Sequence, residues 1–336
     1  MLHRPIVLGL LAISSAAPAQ DPRLEWERSA AETKRICERV GRPKPPAGDR
    51  PTPAQARVLA GCSAEKLYYG QGVKPDYVKA RQCAFLEAQD NKAEVFAGNT
   101  ILMQLYANGL GVTRDPDLAT AYACLVDGAP AEVEGRVAHL QSLKSKPDPS
   151  FDYCDDITSG LAMGYCQARD SDHAAVGRDA RITALVATLP AAARSLYAPM
   201  KKSFDAFVDA HGDEVDQAGT ARAAEVIAEQ DKARDQFVRD LDRLASGRWP
   251  AASSADAQAA DAALNASYRK ALAYAANADN VGTIKPDYIR KTQRLWLVYR
   301  DAYLRFAAGV PGISRDAALA RLTRLRTADL DRIANP

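Results

Sequence analysis

Two short stretches and two lone histidines hold residue types that could do chemistry. Ser63-Ala64-Glu65-Lys66 has the S-x-x-K spacing in which a lysine takes the proton of an acylating serine. The S-D-N and K-T-G partners of that chemistry are absent. The motif also falls on a helix of a repeat, where both side chains face water. Asp170, Asp172 and His173 offer two oxygens and a nitrogen of the kind that hold metals. Their i, i+2, i+3 spacing spreads them around a helix start, so aspartate capping is the reading preferred. His139 and His211 have no acid–nucleophile partner nearby in sequence, and no phosphate-binding G-x-x-x-x-G-K-[ST] loop occurs. No cofactor is expected, and the chain is read as non-catalytic.

Six cysteines remain: Cys37, Cys62, Cys83, Cys124, Cys154 and Cys166. No C-x-x-C pair exists, so thioredoxin-like redox work and zinc ribbons lack their signature. Residues 1–19 read as a secretory signal. His3 and Arg4 precede the apolar run Ile6 to Ile13, and Ala17-Pro18-Ala19 forms an A-x-A cleavage site. An even cysteine count in an exported chain points to disulfides. No cysteine lies near the cleavage point, so no lipid anchor is expected. The protein is expected in the periplasm or secreted, with no membrane anchor.

The elements that carry these residues are helical. Apolar residues recur at three- and four-residue spacing, and no run of alternating β-branched residues is bounded by hairpin turns. Tyr69-Gly70-Gln71-Gly72-Val73 followed by Asp76 and Ala80 returns as Tyr106-Ala107-Asn108-Gly109-Leu110-Gly111-Val112, Asp115 and Ala121. A period near 40 residues points to stacked helical hairpins. In such hairpins glycines take positive φ at a helix end and the aspartate caps the next helix. The alanine pair sets a second loop two residues longer than the first, which makes Cys83 and Cys124 equivalent. Packed helices lie about 8–10 Å apart, beyond the roughly 7 Å a disulfide tolerates, so these two are not expected to join. Cys62 and Cys83 sit at similar distances on either side of the Gly72-Val73 turn and face each other in a hairpin. They are the favoured pair, and Cys37 and Cys124 remain as a third. Along a straight helix Cys154 and Cys166 would stand about 18 Å apart, so their bond needs a bend, for which Gly160 and Gly164 are well placed.

The stretch Tyr69 to Ala88 resembles the Sel-one-like repeat family, relatives of the tetratricopeptide repeats. That resemblance implies a solenoid surface for protein partners. Cys83 and Cys124 stand where the family usually has an aromatic residue.

Further on, helices are expected near 170–189, 191–211, 217–246, 256–277, 287–308 and 314–333. Ile289, Trp296, Tyr299, Tyr303 and Phe306 form one helical stripe, read as core. Arg300 and Asp301 adjoin it, and charges at a buried edge are normally paired. They are read as one network with Gln293 and Asn265. Asp213, Glu214 and Asp216 are read as a solvated loop that could face a basic partner.

Here the sequence resembles the lysozyme-inhibitor family typified by the N-terminal domain of LprI. The residues are Asp261, Leu264, Asn265 and Tyr268 on one helix, and Gln293, Trp296, Tyr299, Arg300 and Asp301 on the next. The Cys154–Cys166 segment is similar to that family's opening cysteine pair. The family usually closes with a cysteine just after its R-D pair, and this chain has Ala302, Tyr303 and Leu304 there. The resemblance implies a lysozyme or another cell-wall hydrolase as protein partner, with Asn265, Tyr268, Gln293, Trp296, Tyr299, Arg300 and Asp301 as family-motif residues available for contact.

The 336 residues are 47% hydrophobic and 26% charged, with a formal net charge of +2. That balance excludes a disordered chain and a polytopic membrane protein, and it gives no electrostatic case for nucleic acid. The expected fold class is all-α, solenoid-like helical-hairpin repeats followed by small helical bundle units. Residues 1–19 would be the signal, 20–50 an N-terminal segment, and 51–142 two Sel-one-like repeats. A linker at 143–150 would lead to a degraded LprI-like unit at 151–246 with its cysteine pair. A connector at 247–258 would precede a second such unit at 259–336. The expected function is non-catalytic protein binding, inhibitory toward a cell-wall hydrolase. The alternatives are an adaptor acting through the repeats, and a hydrolase of peptidoglycan or β-lactams.

Overall fold

The computed structural model describes residues 22–90, 95–146, 150–277 and 282–335. The signal segment at 1–19 lies outside them, as does part of the stretch read as linker. Thirteen α-helices and no strand occur among the described residues, so the chain is all-α.

The first half stacks α1 (Pro22–Val40), α2 (Pro53–Val58), α3 (Ala64–Tyr69), α4 (Tyr77–Gln89), α5 (Gly98–Asn108), α6 (Pro116–Ala123) and α7 (Pro130–Ser142). The two glycine turns are built alike. Gly70 and Gly109 end α3 and α5 in the left-handed region at φ 78° and 69°, where a Cβ would be strained. The Asp76 amide then donates back to the Leu67 carbonyl at 2.9 Å, and that of Asp115 to Tyr106 at 3.0 Å. Each aspartate side chain caps its helix, accepting from Lys79 N at 3.0 Å and Leu118 N at 2.9 Å.

These matches all lie 39 positions apart, so the two loops have equal length and Ala80 corresponds to Ala119, not Ala121. Cys83 therefore corresponds to Tyr122, while Cys124 is the C-cap residue of α6. The alanine spacing misleads because Ala119 and Ala121 are both buried on α6. Successive hairpins are tied by buried Arg81. It donates to the Gly111 carbonyl at 2.7 Å and to Asp49 at 3.0 Å.

The second half comprises α8 (Gly160–Thr188), α9 (Ala191–His211), α10 (Arg222–Ala245), α11 (Ser254–Ala276), α12 (Pro286–Ala307) and α13 (Arg315–Ala334). Two apolar cores result, one built from residues between Ile36 and Cys166 and one from residues between Ile182 and Ile333. The 29-residue α8 serves both. In its first half Arg169 holds it to the N-terminal half of the chain, donating to Tyr69 Oη at 2.9 Å and Asp152 at 2.6 Å.

Three disulfides join Cys37 to Cys124, Cys62 to Cys83, and Cys154 to Cys166, with Cα separations of 5.9, 6.1 and 5.9 Å. The chain reverses between the last two at Ile157 to Ser159, where Ser159 caps α8. The glycines expected to bend it do something else. A Cβ on Gly160 would lie 2.1 Å from the Thr220 carbonyl, and one on Gly164 would lie 3.0 Å from Ala223. Both let α8 and α10 approach closely.

Candidate functional site

The expected motif residues sit on α11 and α12, which are packed by α9 and α13. α12 runs antiparallel to α9. Thr292 Oγ1 donates to the Ala210 carbonyl at 2.9 Å, and Gly309 just beyond α12 lies against Ala193. The stripe Ile289, Trp296, Tyr299, Tyr303 and Phe306 is buried. Tyr299 stacks on Phe207 with centroids 5.8 Å apart, and Phe204 stacks on Phe237 at 4.4 Å. Such pairs add to what area burial alone provides. Burial pushes the Tyr299 phenol well above its ordinary pKa, with Asp240 adding to the effect.

The polar motif residues form separate sets instead of one network. Arg300 pairs with its neighbour Asp301 at 2.7 Å and lies over the Trp296 ring, 5.5 Å from its centroid. Asn265 is exposed and donates to Asp261 one turn back at 3.0 Å. Gln293 accepts from Arg326 Nε at 2.9 Å, and Tyr268 packs partly buried on the core. Adjacent and i, i+4 partners satisfy Arg300 and Asn265 within their own helices, so no bridge between them is needed.

The feature the sequence concealed is Glu214. Its side chain is fully buried, as is that of Arg326, which donates to both carboxylate oxygens at 2.6 Å. His211 Nδ1 lies 3.0 Å from Glu214 Oε2. Burial alone would raise the Glu214 pKa. The Arg326 charge and hydrogen bonds, helped by His211, outweigh it and hold the carboxyl below its ordinary value. The loop is thus not a solvated acidic cluster. Asp213 pairs with Lys291 at 2.9 Å, and Asp216 accepts from Thr283 N at 3.1 Å and Oγ1 at 2.9 Å.

The other sequence candidates have structural duties. Ser63 Oγ accepts the Lys66 amide at 3.3 Å as the N-cap of α3. Asp170, Asp172 and His173 lie inside α8, whose cap is Ser159, so they do not cap a helix start. Asp170 pairs with Arg169 at 2.9 Å, and the His173 ring meets Tyr69. His139 pairs with Asp156 at 2.9 Å. No cluster of three or more metal-ligating side chains occurs among the described residues.

The described chain is thus all-α and closed by three disulfides, and its aromatic motif builds a core. Residues 248–330 match the profile of a family described as Lysozyme inhibitor LprI. No curated protein and no solved structure matches the chain. No described helix is long and apolar enough to cross a membrane.

Proposed function

We propose that the chain is an exported, non-catalytic binding protein that slows a lysozyme or a related cell-wall hydrolase by covering its cleft. The observation that carries this reading is the outer face of α12, inside the matched stretch. Leu297 and Val298 are exposed there, Val298 to 57%, beside the Arg300–Asp301 pair. Apolar side chains rimmed by paired charges suit a protein partner. The opposite face of α12 is core, so only this side is free to engage one. Three disulfides fit an oxidising compartment, in keeping with a periplasmic or secreted protein. A cell-wall lysis assay with purified protein tests the reading. Saturating protein should slow lysozyme, and the paired substitution Leu297→Asp with Val298→Asp should abolish the effect while helicity is kept. An unchanged lysozyme rate at saturation rejects inhibition.

A second reading, an adaptor acting through Sel-one-like repeats at 51–142, draws on Val73 and Val78, both exposed at the first hairpin turn. Capture of an envelope partner lost on Val73→Asp with Val78→Asp, and kept in the α12 variant, would favour it. A hydrolase reading finds no support at Ser63, whose hydroxyl is engaged as a cap. Ser63→Ala should leave nitrocefin and muropeptide turnover at background.

A further inference from the structure

α10 and α13 run antiparallel but are strapped at two points. Arg321 pairs with Asp240 at 3.0 Å near one end, and Arg332 with Glu229 at 2.7 Å near the other. Between the straps lies a cleft of about 450 Å³. Its floor is aromatic, made by Phe204, Phe207, Phe237, Trp296 and Tyr299. Nine of its eighteen lining residues are polar or charged and nine apolar or aromatic, and a concavity of this size with an apolar floor and convergent polar groups has the form of a small-molecule site.

The polar groups narrow the ligand's chemistry. Arg239, on the α10 side, donates from Nε and Nη2 to Gln236 Oε1 at 3.1 and 3.0 Å. Among the described residues it meets no carboxylate. The Gln236 Nε2 is buried and has no hydrogen-bond partner in the structure. Both side chains line the cleft. The lining carboxylates are already engaged, Glu229 by Lys232 and Arg332, Asp240 by Arg243 and Arg321, and Asp329 by Arg332. A cationic ligand would therefore compete for occupied partners. An anion would meet a permanent guanidinium and a spare amide donor.

We propose that this cleft binds an apolar carboxylate, its tail on the aromatic floor and its carboxylate at Arg239 and Gln236. A volume of about 450 Å³ lies within the range of pockets that take small organic ligands, which admits a twelve-carbon fatty acid. The site stands apart from the outer face of α12, so it holds whether or not lysozyme is slowed.

The test titrates the full chain with dodecanoate brominated at its terminal carbon, following tryptophan emission. Trp296 lines the cleft, whereas Trp26 and Trp249 do not. Saturable one-to-one quenching is expected, with dodecanol bound about tenfold more weakly, the scale of one charge-assisted hydrogen bond. Arg239→Gln should weaken dodecanoate by about the same factor, and Ala233→Trp should fill the cleft and abolish quenching. Arg239 is exposed, so its variant carries the test even if Ala233→Trp fails to fold. Absence of saturable quenching, equal binding of dodecanol, or unchanged affinity in Arg239→Gln would overturn the proposal.

Discussion

Arg326 and Glu214, 112 positions apart, form a two-pronged ion pair from which water is wholly excluded. Arg326 also stacks over Phe207 at 5.7 Å and donates to Gln293. It thereby fastens α13 to α12 and to the loop after α9. Removing one partner strands the other charge in the core. Arg326→Met is expected to cost about 3–5 kcal/mol in urea unfolding. Arg326→Met combined with Glu214→Leu should cost clearly less than the two single losses added, because neither charge is then left alone. A strictly additive double variant would contradict this.

The same pair fixes the acid limb of stability. Glu214 has a folded pKa below its unfolded value, which is about 4.3 for a free glutamate. Its contribution is therefore fully present above that range and is lost as pH falls through the lower folded value. Glu132 has the same sign. Burial would raise it, but the amides of Ser159, Thr158 and Ala129 all donate to it and hold it down. The wild-type chain should lose stability steeply below about pH 4, and the Arg326→Met/Glu214→Leu chain less steeply. Circular dichroism across pH 2–7 reads both.

In base the sign reverses. Burial pushes the Tyr68 phenol up to about 12, and those of Tyr122 and Tyr197 likewise to about 12. A folded pKa above the unfolded value of about 10 gives stability that is whole below that value and drains as pH rises through 12. Phenolate absorbance in the native chain should lag that of the urea-unfolded chain. Coincident titration curves would show that these rings are not buried.

Local rules made much of this architecture legible. Helix ends follow caps such as Asp76 and Asp115, and the stripe from Ile289 to Phe306 shows its core face by periodicity alone. The Cys62–Cys83 pairing follows from hairpin symmetry. Glu214 was illegible because its partner is distant in sequence. Three acids in a short loop look solvated until Arg326 and His211 close over one of them. Gly160 and Gly164 misled for a similar reason, since their neighbours Thr220, in the turn before α10, and Ala223, in its first turn, lie some 60 positions on. The cleft under Arg239 had no sequence signal at all, being a gap between helices.

The disulfides should differ in weight. Cys37–Cys124 spans 87 positions and Cys154–Cys166 spans 12. Chain-entropy reasoning gives about 3 kcal/mol for a short loop and over 4 kcal/mol for a long one. Replacing Cys37 and Cys124 by alanine should therefore lower the denaturation midpoint more than the same change at Cys154 and Cys166. The reverse order would mean that the Cys154 turn is held mainly by its bond, and not by the Asp152–Arg169 contact beside it.

Two glycines of one helix should respond oppositely to alanine. At Gly160 the new methyl would sit 2.1 Å from the Thr220 backbone, which cannot yield without parting α8 from α10. Gly160→Ala should cost about 1–3 kcal/mol, the usual scale of overpacking. At Gly177, in the middle of α8, a Cβ meets nothing within 4 Å. There the substitution only removes backbone freedom from the unfolded chain and should stabilise by about 0.5–1 kcal/mol. Paired thermal melts decide it: Tm should fall for Gly160→Ala and rise for Gly177→Ala. A tolerated Gly160→Ala would show that the close α8–α10 approach, and with it the seating of the Cys154–Cys166 segment, is not what the structure describes.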